Sequence, residues 1–327
     1  MNNLNKSFHQ QDTQPIQREP YPTSTDQHNE EFIQPVVISN SRAPIQRTPL
    51  PKKNRKKPGC CVWGVILPVL FIVLIYFLFP ARTNILLLGI DRAPEGTDVS
   101  RTDTNILISI IPLQPVVNML SIPRDLWVQI PDVGENRINT AHFFAEAEQA
   151  GSGPNAAMQT VRQNFGVTVN FYARVRFDGV KDIIDAMDGI TIQLDQPMSG
   201  YNGGTHYLNG EQALAFARDR QGSDDFFRMQ RGQIIIRSTI NELLKPSSWS
   251  KIPKIIRVMN QVVDSNIPAF LYPRLGLALT RAAISNKINS VTISREMVTP
   301  FTTDQGASVL LPNWEAINPV LLELLGE

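Results

Sequence analysis

Three short apolar runs that lie close together constrain the fold of this chain most strongly. They span residues 84–90, 104–111 and 116–122. Each run has the length of a buried strand and is bounded by glycine, proline or charge. We therefore predict three strands side by side in one sheet. Helical stretches alternate with further strands to about residue 325, so the whole pattern predicts a layered α/β domain.

Charged residues lie at the ends of these runs. Asp91 follows the first run, Arg101 and Asp103 precede the second, and Arg124 and Asp125 follow the third. If the three strands are neighbours, their ends bring these side chains to one rim of the sheet. Two carboxylates among arginines suit a divalent cation, such as magnesium, that bridges to a phosphate. The pattern therefore indicates phosphoryl transfer, in which positioning and charge neutralisation provide most of the catalysis.

Further arginines lie in the segment 204–233, near the ends of two predicted helices over about 210–217 and 223–244. Arginine binds phosphate through paired N–H donors and stays charged at any working pH. Asp125, Asp224 and Asp225 are candidates for orienting arginines or for taking a proton from an attacking hydroxyl. The arginines near predicted element ends are Arg92, Arg101, Arg124, Arg218, Arg220, Arg228 and Arg231.

Each of these residues also has an ordinary structural interpretation. An aspartate at a strand end is commonly a turn former, and an arginine is commonly part of a solvated surface ion pair. We interpret His142 and His206 as ordinary polar positions, because no metal-ligand spacing accompanies them. Spacing alone therefore leaves both the functional and the structural interpretation open.

The N-terminal part of the chain differs from the rest in composition. Residues 1–58 are rich in Gln, Asn, Pro, Ser and Thr and end in a basic cluster, which predicts a disordered tail. Residues 59–80 contain the uninterrupted apolar run 60–79. At 1.5 Å per residue such a helix spans roughly 30 Å, so it predicts one transmembrane helix.

The basic cluster before this run predicts the topology of the chain. Lys52, Lys53, Arg55, Lys56 and Lys57 carry positive charge immediately before the apolar run. Positive residues favour the cytoplasmic side of a membrane. We therefore expect a single-pass, signal-anchored protein of the cell (inner) membrane, with its N-terminus in the cytoplasm and residues 81–327 outside.

Composition excludes several other classes of site. The net charge of +1 gives no support for a nucleic-acid partner. No cysteine follows Cys61, which excludes a disulfide framework and a Cys-ligated zinc site in residues 81–327. The sequence also lacks a glycine-rich phosphate loop, an H-E-x-x-H motif and a G-x-S-x-G motif.

The motifs of residues 83–245, taken together, resemble the LytR-CpsA-Psr family of bacterial envelope proteins. They fall in the family's order and cover most of this region. One departure is Arg92, which follows Asp91 directly where members often have a small polar residue first. The matching stretches are NILLLGID at 84–91, R-x-D-T at 101–104, SIPRD at 121–125, FDGVKDIIDAMDGI at 177–190, LNGEQALAFARDR at 208–220 and DFFRMQRGQ at 225–233.

The resemblance implies both a fold and an activity. The fold would be a three-layer α/β/α arrangement with a mixed central sheet, preceded by one transmembrane helix. The activity would be a phosphotransferase that moves a glycopolymer from a polyprenyl-pyrophosphate carrier onto peptidoglycan. Mg²⁺ would bridge the pyrophosphate, and a hydrophobic pocket would take the prenyl tail. Its partners would be the lipid-linked glycan, the peptidoglycan acceptor and the membrane, with no nucleic acid.

The resemblance also implies roles for individual residues. Asp91 and Asp103 match the metal-linked aspartates of the family, and with Arg124 and Asp225 they form the implied catalytic set. Two alternatives remain open: a polyprenyl-pyrophosphate hydrolase that uses water as acceptor, and a non-enzymatic protein that binds the lipid carrier or regulates the envelope. The implied pyrophosphate-binding residues are Arg101, Arg124, Arg218, Arg220, Arg228 and Arg231.

Overall fold

The computed structural model describes residues 60–91, 93–219 and 225–326, with the side chains of residues 60–63 left out. The predicted tail, residues 1–58, lies outside these ranges, as do Arg92, Arg220 and Asp224. The first described element is helix α1 (Cys60–Leu78), which is apolar along its length. A search of the described residues finds no helix with the length and apolar character needed to cross a membrane.

A mixed sheet of six strands forms the centre of the region after α1. The strands in chain order are β1 (Thr83–Ile90), β2 (Thr102–Ile111), β3 (Val116–Ile122), β4 (Trp127–Ile130), β5 (Gly134–Arg137), β6 (Phe171–Arg176), β7 (Ile190–Leu194), β8 (Gly204–Leu208), β9 (Val263–Ser265), β10 (Ile288–Thr292), β11 (Val298–Thr302) and β12 (Ser308–Pro312). The order in the central sheet is β10-β3-β2-β1-β6-β9. Strand β2 runs antiparallel to β1 and β3, whereas β6 is parallel to β1 and β10 is parallel to β3. The predicted adjacency of the first three strands is confirmed.

Helices cover both faces of this sheet. In chain order they are α2 (Thr140–Glu148), α3 (Gly153–Phe165), α4 (Phe177–Ala186), α5 (Gly210–Arg218), α6 (Asp225–Leu244), α7 (Ile252–Val262), α8 (Tyr272–Ile284) and α9 (Trp314–Leu325). Helices α2, α3 and α9 contribute to the core on one face, and α8 with part of α6 contributes to the core on the other. The predicted three-layer α/β/α arrangement with a mixed sheet is therefore confirmed.

Alternating side chains of the central strands supply the two cores. Along β1, Leu86 and Leu88 belong to the core under α2, α3 and α9, whereas Ile85 belongs to the core under α8. In β2, Leu107 likewise belongs to the core under α2, α3 and α9, and Ile106 belongs to the core under α8. Successive side chains of a strand point to opposite faces, so a strand that is covered on both faces reads as an unbroken apolar run.

Short hairpins lie outside the central sheet and were not predicted as pairs. They are formed by β4 with β5, β7 with β8, and β11 with β12. Helix α5, in contrast, begins where the sequence predicts. Asn209 is its N-cap and accepts a hydrogen bond from the backbone N–H of Gln212, whose side chain accepts one from the N–H of Asn209. This reciprocal pair satisfies two free N–H groups and fixes the start of the helix.

Candidate active site at the sheet edge

The carboxyl ends of β1 and β3 and the start of β2 lie at the same edge of the sheet. Asp91 follows β1, and Arg124 follows β3 by two residues. The sequence places Asp103 just before the second strand, but in the structure it lies within β2. The pairing shifts there from Gly89 with Thr104 to Ile90 with Thr102. Asp103 is thus the extra residue of a β-bulge, an irregularity that turns a side chain towards a new direction.

Gly89 allows close packing directly before Asp91. A Cβ atom at this position would lie 2.8 Å from Cε1 of Phe177 and 2.9 Å from Cβ of Thr104. Contacts this short do not occur between real Cβ atoms and their neighbours. Glycine therefore lets the aromatic ring of Phe177 pack against the end of β1. The same ring lies 5.6 Å from the guanidinium carbon of Arg218, which is brought to this edge by α5.

Arg124 is the centre of the cluster at this edge. Its Nη1 donates to Oδ1 of Asp103 at 2.7 Å, and its Nε donates to Oδ2 of Asp225 at 2.9 Å. Oδ2 of Asp125 lies 3.3 Å from the same Nε. Arg228, one turn into α6, lies 3.2 Å from Asp225 and 3.8 Å from Asp103. The structure therefore brings together residues that are more than a hundred positions apart in the chain.

The ion pairs of this cluster are partly withdrawn from water. The side chain of Arg124 is 26 % exposed, and the three aspartates it contacts are exposed to a similar extent. Burial alone would lower the pKa of Arg124, but its hydrogen bond to Asp103 and the charges of Asp225 and Asp125 raise that pKa overall. Burial, followed by a hydrogen bond with Asp225, raises the pKa of Asp125 above its ordinary value. A carboxyl group of raised pKa is a better proton acceptor.

Asp91 pairs with a different arginine. Oδ1 of Asp91 accepts a hydrogen bond from Nη2 of Arg218, and Oδ1 of Asp178 lies 3.4 Å from the same nitrogen. A cavity of about 310 Å³ opens beside this pair. Its lining residues are Ile90, Asp91, Ala93, Arg176, Phe177, Asp178 and Arg218. The edge therefore presents two neighbouring groups of charges, one centred on Arg124 and the other on Arg218.

Other predicted phosphate ligands are placed differently. Arg101 is exposed, and its guanidinium carbon lies 5.9 Å from the ring centroid of Phe143. Arg231 is only 2 % exposed and donates a hydrogen bond to the backbone carbonyl of Asp219. The roles of both arginines as phosphate ligands stay predictions. The same holds for Arg220, which lies outside the described residues.

The donor set at this edge fits a magnesium ion. No group of three or more His, Cys, Asp or Glu residues that could hold a metal occurs among the described residues. Magnesium bound to a phosphate needs only one or two carboxylates, however, because substrate oxygens and waters complete its shell. Asp91, directly after β1, and Asp103, in the neighbouring strand β2, are the two candidate carboxylates.

A buried network beside the edge was missed by sequence reasoning. Arg174 on β6 has a side chain that is 7 % exposed and contacts three carboxylates: Asp98 at 3.0 Å, Glu146 at 3.1 Å and Asp264 at 2.8 Å. Its Nη1 also lies 3.2 Å from Nε2 of His142. In the sequence, the segment 170–177 looks like a half-exposed strand with alternating arginines, and nothing near it marks Arg174 as buried.

This network holds the loop that connects Asp91 to Asp103. Nδ1 of His142 lies 2.8 Å from the carbonyl oxygen of Ser100, and Arg174 holds Asp98 in the same loop. Burial, together with the charge of Arg174, lowers the pKa of His142, although the Ser100 carbonyl opposes this effect. Neutral His142 therefore donates from Nδ1 to Ser100 and accepts at Nε2 from Arg174.

Comparisons with known proteins match most of the region described above. A family model described as the LytR_cpsA_psr family matches residues 80–320. The polyisoprenyl-teichoic acid–peptidoglycan teichoic acid transferase TagU of Oceanobacillus iheyensis is 38% identical over 190 residues, which cover 56% of this chain and 58% of TagU. Regulatory protein MsrR of Staphylococcus aureus is 31% identical over 195 residues, which cover 57% of each chain. The chain thus matches less than two thirds of the length of these curated relatives.

This chain also matches solved structures over most of the length of those structures. The crystal structure of TagV of B. subtilis is 27% identical, with a TM-score of 0.61, and the match covers 76% of this chain and 98% of TagV. TagT bound to LIIa-WTA is 22% identical, with a TM-score of 0.59, and the match covers 75% of this chain and 91% of TagT. At 22% identity, the match to TagT concerns the fold alone. From its sequence over residues 80–320 and from its fold, the chain belongs to the LytR_cpsA_psr family.

Proposed function

We propose that this chain is a phosphotransferase that moves a glycopolymer from a polyprenyl-pyrophosphate carrier to a hydroxyl group of peptidoglycan. The observation that carries the proposal is the set of ion pairs in which Arg124 contacts Asp103, Asp125 and Asp225 at one edge of the sheet. A diphosphate presents anionic oxygens of the kind that arginine already binds there, so it can replace carboxylate partners.

The proposed reaction is a single displacement at phosphorus. The acceptor hydroxyl attacks the phosphorus that carries the glycan, and the bond from that phosphorus to the bridging oxygen breaks. Polyprenyl phosphate leaves with the electron pair of that bond. Arg124, Arg218 and Arg228 bind the phosphate oxygens and offset their charge, and Asp125 or Asp225 accepts the proton of the hydroxyl. No covalent intermediate with the protein is needed.

Asp91 and Asp103 are the residues that would hold a magnesium ion in this account. When bound, the ion would neutralise charge on the phosphate oxygens. Each of these carboxylates also contacts an arginine, Arg218 and Arg124 respectively, and so fixes the orientation of that arginine in the absence of substrate.

We propose further that residues 59–80 anchor the chain in the cell (inner) membrane, with the N-terminus in the cytoplasm. The uninterrupted apolar run 60–79 and the basic cluster before it support this topology. Strand β1 begins at Thr83, a few residues after the run. The folded domain would then lie at the surface of the bilayer that holds the prenyl chain of the carrier.

The names of the relatives bear on the substrate. TagU is named a teichoic acid transferase, which favours a teichoic acid as the transferred polymer. MsrR is named a regulatory protein, which favours a second candidate: a protein that binds the lipid carrier and regulates the envelope without transfer. Hydrolysis of the carrier, with water in place of the sugar hydroxyl, would use the same edge.

A product assay tests the proposal and separates these candidates. The full chain would be incubated with magnesium and a polyprenyl-pyrophosphate-linked disaccharide, with and without soluble peptidoglycan oligomers. We expect release of polyprenyl phosphate that depends on the acceptor, together with a phosphodiester-linked product. Equal release without the acceptor would indicate a hydrolase, and no release would contradict an enzymatic role.

Two matched variants complete this assay. Asp103→Asn removes a proposed metal ligand and weakens the pairing of Arg124, so we expect it to remove acceptor-dependent release. Asp195→Asn changes an exposed carboxylate in the loop after β7 and is expected to leave release unchanged.

A further inference from the structure

We propose that a cavity between the start of α6 and the β11–β12 hairpin is the subsite for the acceptor glycan, an inference that rests on the proposed function. The cavity has a volume of about 370 Å³, within the range of pockets that take small ligands. The catalytic cluster forms one wall of the cavity, and the hairpin, Phe226 of α6 and Arg295 form the rest. Its lining residues are Arg124, Asp125, Asp225, Phe226, Arg295, Val298, Pro300, Ser308, Val309 and Leu310.

The order of the strands places this cavity on one side of the cluster. Along the edge, the end of β10 comes first, followed by the end of β3, the start of β2 and the ends of β1 and β6. The cavity is lined by Arg124, after β3, and by Arg295, after β10. The second cavity, lined by Asp91 and by Arg176 at the end of β6, lies on the other side.

Displacement at phosphorus requires space for an attacking group and for a leaving group on opposite sides of the phosphorus. The attacking oxygen and the leaving oxygen lie roughly in line, on opposite sides of the phosphorus. A diphosphate held along the edge between Arg124 and Arg218 therefore has its leaving group on one side and its attacker on the other. The two cavities meet this requirement, because they flank the cluster on the β3 side and the β1 side.

The positions of the residues that can accept a proton indicate that the attacking hydroxyl enters on the β3 side of the cluster. Asp125 and Asp225 line the cavity there, and each has a carboxylate oxygen within 3.3 Å of Nε of Arg124. In the second cavity, Asp91 is one of the two proposed magnesium ligands, and Asp178 has a side chain that is 75 % exposed. A hydroxyl that enters beside Asp125 can pass its proton to this carboxyl pair as the bond from its oxygen to phosphorus forms.

The remaining walls suit a sugar ring. Phe226 offers an aromatic face, and the guanidinium carbon of Arg295 lies 5.6 Å from its ring centroid. Val298 and Leu310 add apolar surface opposite the charged wall. Sugar rings combine apolar C–H faces with hydroxyl groups, so a cavity with one aromatic and apolar wall and one charged wall matches both.

The hairpin that forms the outer wall is fixed to the catalytic cluster. The backbone N–H of Leu310 donates to the carbonyl oxygen of Asp125 at 3.0 Å. Arg137 donates to the carbonyl oxygen of Ser308 at 2.7 Å and lies 3.4 Å from Oδ1 of Asp125. Asp125, which would accept the proton, therefore also holds the hairpin that forms the outer wall of the cavity.

A cavity-filling variant tests this assignment. Ser308→Phe places a ring in the cavity from an exposed hairpin position, and Pro300→Trp does so from the facing strand. Steric exclusion of this kind is expected to raise KM for soluble peptidoglycan oligomers by about tenfold or more. Affinity for geranylgeranyl diphosphate, a probe of the donor side, is expected to stay unchanged in the full chain.

The control is Thr299→Phe, which adds the same bulk at an exposed position of β11 that does not line the cavity. This control is expected to change neither KM for the oligomers nor the affinity for geranylgeranyl diphosphate. Unchanged KM for the oligomers in both cavity variants would overturn the assignment, and so would loss of geranylgeranyl diphosphate binding alongside the rise in KM. A wild-type chain that binds the diphosphate but transfers nothing would instead overturn the proposed function.

Discussion

Replacement of Arg124 with alanine is expected to lower kcat/KM for the proposed glycopolymer transfer by about a thousandfold, the scale seen when an arginine that stabilises a phosphoryl-transfer transition state is removed. The reason is geometric. Arg124 contacts Asp103, Asp125 and Asp225 at once, so its loss removes a phosphate ligand and leaves three carboxylates without their shared partner. Steady-state kinetics with a lipid-linked donor and peptidoglycan oligomers measure the effect.

Arg237→Ala is the matched control for this variant. Arg237 lies on α6 and forms an exposed hydrogen bond with Asn286. Its replacement removes the same charge without touching the sheet edge, so kcat/KM is expected to stay at the wild-type value. Because Arg124 is only partly buried, circular dichroism of Arg124→Ala is expected to match the wild-type spectrum. Wild-type transfer by Arg124→Ala would remove this residue from the site.

Replacement of Arg174 with methionine is expected to lower the free energy of unfolding by about 3–5 kcal/mol, the cost of removing one partner of a buried ion pair. Glu146 is 4 % exposed and would keep its charge without Arg174. For a domain of this size, the corresponding decrease in Tm is roughly 10 °C. Thermal unfolding of the full chain, followed by circular dichroism, measures the decrease.

Arg176→Met provides the comparison on the same strand. The side chain of Arg176 is 45 % exposed and lies 3.9 Å from Asp98, so it contributes a solvated pair worth little. We expect its Tm to stay close to that of the wild type. Equal Tm values for the two variants would mean that the network around Arg174 does not stabilise the fold.

The central strands could be predicted because their signal is local. Residues 116–122 are apolar, bounded by turn-forming neighbours, and become β3 with the same limits. The start of α5 could be predicted for the same reason, since Asn209, a residue type favoured at N-caps, directly precedes the helix. The predicted ends of these strands place Asp91, Asp103 and Arg124 at one edge of the sheet, where the structure also has them.

The rest of the site depends on pairings that the sequence does not display. The bulge at Asp103 arises from register between β1 and β2, which apolar runs alone do not specify. The β11–β12 hairpin is short and contains Pro300 and Pro312, residues that argue against a strand. Its contact with Asp125 spans most of the domain in sequence, so local patterning gives no sign of it.

Two arginines of α6 show the same limit of prediction from sequence. Arg228 and Arg231 are three residues apart on α6, which predicts a shared face. In the structure, Arg228 reaches Asp103 and Asp225, whereas Arg231 is buried and donates to the carbonyl of Asp219. Which of two similar side chains is covered depends on the segments packed against the helix, and those come from distant parts of the chain.

A crystal structure of the full chain with geranylgeranyl diphosphate and magnesium tests the central claim most directly. The account predicts the diphosphate at the carboxyl ends of β1 and β3, with its oxygens within hydrogen-bonding distance of Arg124 and Arg218. The magnesium ion would lie between the phosphates and the carboxylates of Asp91 and Asp103. A diphosphate bound elsewhere, with Arg124 still paired to Asp103 and Asp225, would contradict the account.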